Sequence, residues 1–367
     1  MSAQPQPSPS SVSNLVAQAA QFSSPAKPKK KLVRRLDVDR SQRIRRIVQF
    51  AFIALNIYLG VQFYVWVRFF ETSGASRYAA RPAGIEGWLP IAALMNLKYL
   101  LLTSKVPAVH PAGMFLLIAF LAMSFIFKKS FCSWLCPVGT LSEYLWKFGR
   151  HTFRRNFSLP RWLDIPLRSL KYLLLGLFVY VIVRMDADAI AGFLTSPYGL
   201  IADVKMLNFF RFMGTTAAIT IGVLSILSIF IQNFWCRFLC PYGALMGLAA
   251  LFSPAKIRRN ESACIDCSKC AKACPSNLPV DKLVQIRSVE CTACLECIAV
   301  CPANDALAFE LPRRKRLSPA AIAAGIAILF FGLIAYAKIT GHWETRIPHA
   351  VYMQLVPGAN EASHPGL

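Results

Sequence analysis

Apolar stretches long enough to cross a membrane alternate with basic and polar segments along most of the chain. A membrane helix needs about 20 apolar residues to cross a hydrocarbon core of roughly 30 Å. The pattern therefore predicts an all-α membrane bundle of about five transmembrane helices, four of them inside a membrane domain. The predicted spans are residues 47–67, 111–127, 169–183 and 213–234 within a domain at 47–255, and a fifth at 318–338.

A further apolar stretch, residues 88–103, leaves two alternatives open: a sixth span, or a re-entrant or interfacial helix. If it crossed the membrane, the strongly basic loop at 128–171 would lie outside. Basic loops are retained on the cytoplasmic side, so we favour the re-entrant or interfacial alternative.

The distribution of Lys and Arg predicts how the chain is oriented. Presumed inner segments contain 31 of these residues and presumed outer segments contain 7. This asymmetry indicates a multi-pass protein of the bacterial inner (cytoplasmic) membrane, with a cytoplasmic N-terminus and a periplasmic C-terminus. The net charge of +23 belongs to segments that flank spans, which favours a membrane partner over nucleic acid. The inner segments are 27–46, 128–171 and 237–316, and the outer ones are 71–110, 185–212 and 339–367.

Three further segments complete the predicted organisation. Residues 1–46 are expected to form a disordered basic tail, because their first part lacks apolar periodicity. Residues 256–312 are predicted to form a cytoplasmic α+β insert that resembles a two-cluster ferredoxin, and residues 339–367 an outer tail.

Two identical cysteine runs define that insert. Each has the spacing Cys-x2-Cys-x2-Cys-x3-Cys-Pro, and the fourth cysteine of such a run binds the cluster of the other run. The spacing therefore predicts two [4Fe–4S] clusters. Zinc sites use four ligands in paired Cys-x2-Cys motifs, and disulfides need an oxidising compartment, so neither alternative fits. The predicted ligands are Cys264, Cys267, Cys270 and Cys301 for cluster 1, and Cys291, Cys294, Cys297 and Cys274 for cluster 2.

The remaining four cysteines belong to an internal repeat. The sequence Phe-Cys-Ser-Trp-Leu-Cys-Pro-Val-Gly-Thr-Leu at 131–141 matches Trp-Cys-Arg-Phe-Leu-Cys-Pro-Tyr-Gly-Ala-Leu at 235–245, 104 residues later. This indicates a parallel repeat of helical hairpins whose motifs emerge on one membrane face. Four thiolates there suit a further iron–sulfur centre, a copper or zinc site, or a redox-active dithiol, while buried structural cysteines are the plain alternative. We favour a third metal centre at Cys132, Cys136, Cys236 and Cys240.

As a set, these motifs resemble the NapH/NosR/CcoG-type membrane-bound [4Fe–4S] polyferredoxins, including their YccM-like members. The resemblance rests on both Cys-x3-Cys-Pro motifs, on the ferredoxin pair at 264–302, and on Arg-Pro-Ala-Gly-Ile-Glu-Gly-Trp-Leu-Pro-Ile at 81–91. It implies a membrane-bound electron-transfer protein, a subunit of a redox complex in anaerobic respiration rather than a stand-alone enzyme. Such a protein links quinol or another donor to a respiratory partner.

Two other functions stay open at this point. One is a copper or iron reductase or an assembly factor for a respiratory metalloenzyme, with the Cys-x3-Cys-Pro pairs as its cargo site. The other is a redox sensor. Glu86 and His110 are candidates for accepting quinol protons at the outer face, although ordinary interfacial roles are the simpler explanation.

Overall fold

A computed structural model describes residues 32–36, 38–154, 156–157 and 159–364, so the first 31 residues of the expected tail lie outside the described residues. The described chain is mainly helical, with one two-stranded sheet. The helices are α1 (Ser41–Glu71), α2 (Pro90–Thr103), α3 (Pro111–Ile126), α4 (Ser130–Trp134), α5 (Pro137–Phe153), α6 (Arg161–Arg184), α7 (Ala187–Thr195), α8 (Pro197–Leu200), α9 (Ala202–Arg211), α10 (Thr215–Phe230), α11 (Pro241–Leu251), α12 (Lys269–Ala273), α13 (Glu296–Ala299), α14 (Pro319–Ile339) and α15 (His349–Leu355).

Three described helices are long and apolar enough to cross a membrane: α1, α6 and α14. Their outward faces expose large apolar side chains such as Ile57, Leu177 and Ile328, as a lipid-facing helix does. The start of α14 is fixed locally, because Pro319 is its first residue and the Ser318 hydroxyl accepts a hydrogen bond from the Ala321 N–H. The protein is therefore a membrane protein.

The predicted count of five spans is supported only in part. Helices α9 and α10 form a pair that is long enough together but bends by 79°, which gives up to four spans among the described residues. Helix α3 has 16 residues and α2 has 14, about 24 and 21 Å, both short of a hydrocarbon core of roughly 30 Å. Helix α2 occupies the stretch for which we favoured a re-entrant or interfacial helix.

Helix α3 is the centre of the bundle. Most of its side chains are buried, and it packs against α2, α11, α14 and a 3₁₀ turn at Ala83–Trp88. Its sequence is apolar all round, which is typical of a helix surrounded by other helices rather than by lipid. The residues that follow it, including the first cysteine motif, are therefore held against the core.

The two copies of the repeat exchange helical partners. The first copy contains α3 and α5, and the second contains α10 and α11. Helix α10 packs against α5, while α11 packs against α3. Each hairpin thus completes its packing with the other copy, and this brings both cysteine motifs to one place.

The cysteine-rich insert is built around β1 (Lys256–Arg259) and β2 (Leu307–Glu310), which pair antiparallel with Ile257 opposite Phe309. Both of these side chains are buried, in a core continuous with that of the helices. Residues before α1 also join the insert: Arg35 N–H donates to Pro302 O (3.0 Å), and Asn304 N–H donates to Val33 O (2.8 Å). The last part of the basic tail is therefore hydrogen-bonded to the insert through Val33 and Arg35.

The C-terminal segment packs on the opposite end of α1. Helix α15 sets Tyr352 edge-on to Trp66, with ring centroids 4.8 Å apart. Both rings are buried in a cluster of apolar side chains that includes Phe63, Phe70 and Ile85. The segment after α14 thus closes the bundle.

Candidate metal centres

The eight cysteines of the insert fall into the two groups that the spacing predicts as ligand sets. Each group lines a small cavity of its own. Short gaps within each run, and the turn after each third cysteine, bring the fourth thiol across to the other run. The groups are Cys264, Cys267, Cys270 and Cys301, and Cys274, Cys291, Cys294 and Cys297.

The backbone between these cysteines is strained in the same way in both runs. Asp266 and Ser268 have positive φ of 53° and 56°, and Ala293 and Leu295 have 51° and 60°. Such left-handed conformations cost about 1–3 kcal/mol each for residues other than glycine. They also turn successive N–H groups inward, which makes a concave site for an anionic group. A thiolate-bound cluster fits this backbone, since it supplies both the negative charge and the covalent restraint.

The four repeat cysteines meet at the junction of the two hairpins. Cys132, Cys136, Cys236 and Cys240 line one cavity, and we call them the quartet. The second cysteine of each motif caps the following helix: the Cys136 thiol accepts from the Gly139 N–H (3.4 Å) and the Cys240 thiol from the Gly243 N–H (3.3 Å). Proline then occupies the first helical position, where no N–H is needed. This is the physical reason for the Cys-Pro frame.

Burial determines the electrostatics of the quartet. It raises the pKa of the Cys132 thiol to about 11 and that of Cys136 to about 12. A buried thiolate needs a nearby cation, and a coordinated metal supplies one. Among the residues that the structure describes, no three His, Cys, Asp or Glu side chains converge tightly enough to hold a single metal ion. The same holds for the two ferredoxin-type sets.

A lysine is buried beside the quartet. Burial lowers the pKa of Lys129, but the thiols of Cys132, Cys236 and Cys240 and the Glu290 carboxylate outweigh this effect and raise it. The Lys129 side chain also lines the quartet cavity. The quartet therefore has a positive charge of its own.

Hydrogen bonds join the first repeat motif to the loop of the second ferredoxin-type set. Trp134 Nε1 donates to Ala293 O (3.0 Å), and the Ser133 hydroxyl donates to Thr292 O (2.6 Å). Cys294 itself lines the quartet cavity. The quartet and the second ferredoxin-type set are thus adjacent, and hydrogen bonds join the segments that carry them.

Two glutamates that precede cysteines of the second set are bound by cations of the membrane helices. Glu290 accepts from Lys171 Nζ through both oxygens (2.7 Å each), and Lys171 is fully buried. Glu296 pairs with Arg45 (3.1 Å) and Lys147 (3.0 Å). These ion pairs fix the insert against the helices at the points where its cysteines face the quartet.

The quartet cavity is long and mainly apolar. It has a volume of about 630 Å³ and is lined by Leu116, Phe120 and Phe330 between the quartet and Arg81. Arg81 lies near the start of α3, while Cys132 follows its end. The cavity therefore runs along most of that helix, with a cation at one end and thiols at the other.

Behind Arg81 lies a buried cluster of ionisable groups. Arg81 donates to Glu86 (2.8 Å) and Asp203 (2.6 Å), and His110 Nδ1 lies 3.4 Å from Glu86. Burial raises the pKa of Glu86, but the Arg81 charge and the hydrogen bonds from His110 and Thr345 outweigh it and lower the pKa to about 2. Burial lowers the pKa of His110, and its contacts with Glu86 and Asp203 more than reverse this. Glu86 thus stays ionised, and His110 holds a proton more readily than a free imidazole does.

Sequence reasoning missed Lys129, Glu290 and Glu296 as parts of the site. Lys129 had been counted only as one basic residue of a loop. A charged residue directly before a cysteine of a regular run, as in Glu290-Cys291 and Glu296-Cys297, was the available indication.

Comparison with known proteins gives consistent families for both cysteine regions. A family described as a 4Fe-4S binding domain matches residues 109–156 and again 213–260, which are the two copies of the repeat. A family described as a 4Fe-4S dicluster domain matches residues 256–302. No solved structure matches the chain.

Curated relatives match over different shares of the chain. YccM of Escherichia coli strain K12, named as a candidate electron transport protein, is 51% identical over 87% of this chain and 91% of its own length. MauN of Paracoccus denitrificans, a methylamine utilization ferredoxin-type protein, is 29% identical over 48% of this chain and 60% of its own. The ferredoxin-type protein NapH of Escherichia coli is 26% identical over 45% of this chain and 56% of its own.

Proposed function

The chain belongs to the NapH/NosR-type membrane polyferredoxins with their YccM-like members, and from this premise we propose that it passes single electrons through three iron–sulfur centres. It is an electron-transport protein of the ferredoxin-type [4Fe–4S] class. The proposed order is the quartet centre, then cluster 2, then cluster 1.

One observation carries this order: a single cavity wall contains the whole quartet together with Cys294, a proposed ligand of cluster 2. The bonded contacts of Ser133 and Trp134 with the same loop support close spacing. Cluster 2 in turn neighbours cluster 1, since the Cys297 thiol interacts electrostatically with Cys270. When bound, the clusters take up and release one electron at a time, and the protein supplies their ligands, spacing and charge.

The match of a 4Fe-4S binding family to each repeat copy favours an iron–sulfur cluster over copper in the quartet. The quartet thiols would bind this cluster, and Gly139 and Gly243 would orient Cys136 and Cys240 through their N–H groups.

Electrons enter through the apolar cavity in this proposal. An apolar hydroquinone or another donor of similar polarity suits the stretch lined by Leu116, Phe120 and Phe330, which lies between charged groups such as Arg81 and Lys129. Oxidation of a quinol releases two electrons and two protons. The electrons would leave singly by way of the quartet, and both protons would pass to the outer face by way of the Glu86–His110 pair behind Arg81.

Electrons leave at cluster 1. Among the twelve cysteines, all within the described part of the chain, only Cys267 is exposed. An open cleft beside it is bordered by Arg34, Arg35 and Lys269. A redox partner of a membrane complex would dock here. The basic-residue asymmetry supports a cytoplasmic position for this face, with the C-terminus in the periplasm.

The metal content of the purified full-length chain tests the proposal. Three clusters require about 12 iron and 12 sulfide per chain, and two require about 8 of each. The reduced protein should show three paramagnetic centres. Iron near eight with no third signal would refute the quartet centre, and one copper per chain would favour the assembly role. Cys267→Ala should lose one ferredoxin-type cluster and keep the other two centres.

A further inference from the structure

Two consecutive lysines are buried where the central helix ends. Lys128 and Lys129 have relative exposures of 0% and 4%. An ammonium group taken out of water is costly unless negative charge or hydrogen bonds compensate it. The two side chains point to different partners, and each is compensated there.

Lys129 extends into the quartet. A Cβ placed at Gly243 would lie 3.5 Å from Lys129 Nζ. Gly243 is the residue whose N–H donates to the Cys240 thiol, so the ammonium of the first repeat copy reaches the cysteine turn of the second. The charged and titratable groups around it are Cys132, Cys236, Cys240, Glu290 and Lys171.

Lys128 extends into the insert instead. Its Nζ donates to Arg287 O (3.2 Å) and Ser288 O (3.3 Å), on the loop that leads to Cys291. The Cys291 thiol is the negative partner of this lysine when ionised. Adjacent lysines thus bring one positive charge to the quartet and another to the second ferredoxin-type set.

Only the first copy of the repeat has a lysine at this position. In sequence, the position 104 residues after Lys129 is Asn233. Asn233 also lines the cavity, and its buried Oδ1 accepts no hydrogen bond in the described structure. The amide brings no charge, so the second copy supplies no counterpart of the Lys129 charge.

We propose that Lys129 raises the reduction potential of the quartet centre from within it, and that Lys128 acts in the same way on cluster 2. The inference rests on the proposed function of the quartet as a redox centre. Reduction by one electron adds one negative charge to a water-poor site and breaks no bond. A fixed ammonium stabilises the reduced state more than the oxidised state, because charge interactions are strong where water is excluded. Lys129 is a positioning charge rather than a ligand.

Redox titration of the full-length protein, followed by electron paramagnetic resonance, tests this. Lys129→Met should lower the potential of the quartet centre by at least a tenfold change in its reduction equilibrium, about 59 mV for one electron. Lys129→Arg, which keeps the positive charge, should have a quartet potential close to that of the wild type. Iron content should stay at the wild-type level in both variants, because no ligand is changed.

The matched control is Lys128→Met, which removes an equally buried lysine one residue away. It should lower the potential of cluster 2 and leave the quartet centre unchanged. The inference is overturned if Lys129→Met leaves the quartet potential in place, if Lys129→Arg behaves like Lys129→Met, or if Lys128→Met shifts the quartet equally. A wild-type protein without a third centre would overturn the proposed function as well, and iron analysis alone distinguishes that failure.

Discussion

The two glycines that follow the repeat cysteines should respond in opposite ways to the same substitution. A Cβ at Gly139 would lie 2.2 Å from Cys132 O, whereas at Gly243 the nearest atoms lie at 3.5 Å and 3.6 Å. Side-chain carbons do not approach backbone oxygen more closely than 3.0 Å. Gly139→Ala must therefore displace Cys132 or the start of α5, while Gly243→Ala fits in place.

The expected difference in stability follows from comparing the two Gly→Ala variants. Both glycines are the third residue of a helix, so the gain in helix propensity, about 1 kcal/mol, is common to both variants. The difference between them is then the cost of overpacking, about 1–3 kcal/mol. Gly243→Ala should be neutral or slightly stabilising.

Denaturant unfolding in detergent micelles would measure the difference, and iron analysis would report on the quartet. Gly139→Ala should unfold at lower denaturant concentration than Gly243→Ala and should lose the third paramagnetic signal. The steric argument is wrong if the two variants are equally stable and both keep that signal.

Three other predictions concern the quartet, the insert and the orientation. Cys136→Ala, Cys240→Ala and the double variant should lose electron transfer to nearly the same degree, since loss of one ligand disables a shared centre; losses that multiply would indicate two independent dithiols. Burial raises the pKa of Glu290, but the charges of Lys129 and Lys171 outweigh burial and hold the folded pKa below the unfolded one. The ionised Glu290 carboxylate therefore stabilises the folded state fully above about pH 4.3, and this stabilisation is lost as the pH falls through the folded pKa. Unfolding of wild type and Glu290→Gln from about pH 5 to about pH 2 measures this loss, and parallel curves over that range would contradict the reasoning. A reporter active only outside the cytoplasm should be active after Leu367 and silent near Ser262, and the reverse would invert the proposed orientation.

The cysteine groupings were predictable from sequence because ligand spacing is a local property. The two runs at 264–302 specify which thiols can reach which cavity without knowledge of the rest of the fold. The repeat at 131–141 and 235–245 likewise indicated that two motifs emerge on one face. Neither required a tertiary contact to be known in advance.

Helix boundaries depended on contacts that the sequence does not display. The span predicted at 169–183 belongs to a helix that begins at Arg161, eight residues earlier. Its charged first turns looked like a loop, but Asp164 pairs with Arg237 (2.6 Å) and Arg168 (2.5 Å). Lys171 is likewise buried against Glu290. The pairs with Arg237 and Glu290 join this part of the helix to distant segments, and only the folded chain brings those segments together.

The sharing of the quartet between two hairpins has a consequence for how the protein is made. Ribosomes add about 5–20 residues per second, so the second motif is synthesised roughly 5 to 20 seconds after the first. Until then α3 and α5 lack the helices that cover them, and Cys132 and Cys136 form only half of a ligand set. If the quartet holds the proposed cluster, iron can load there only after both hairpins have been inserted, so a complete centre would report that the whole bundle has been assembled.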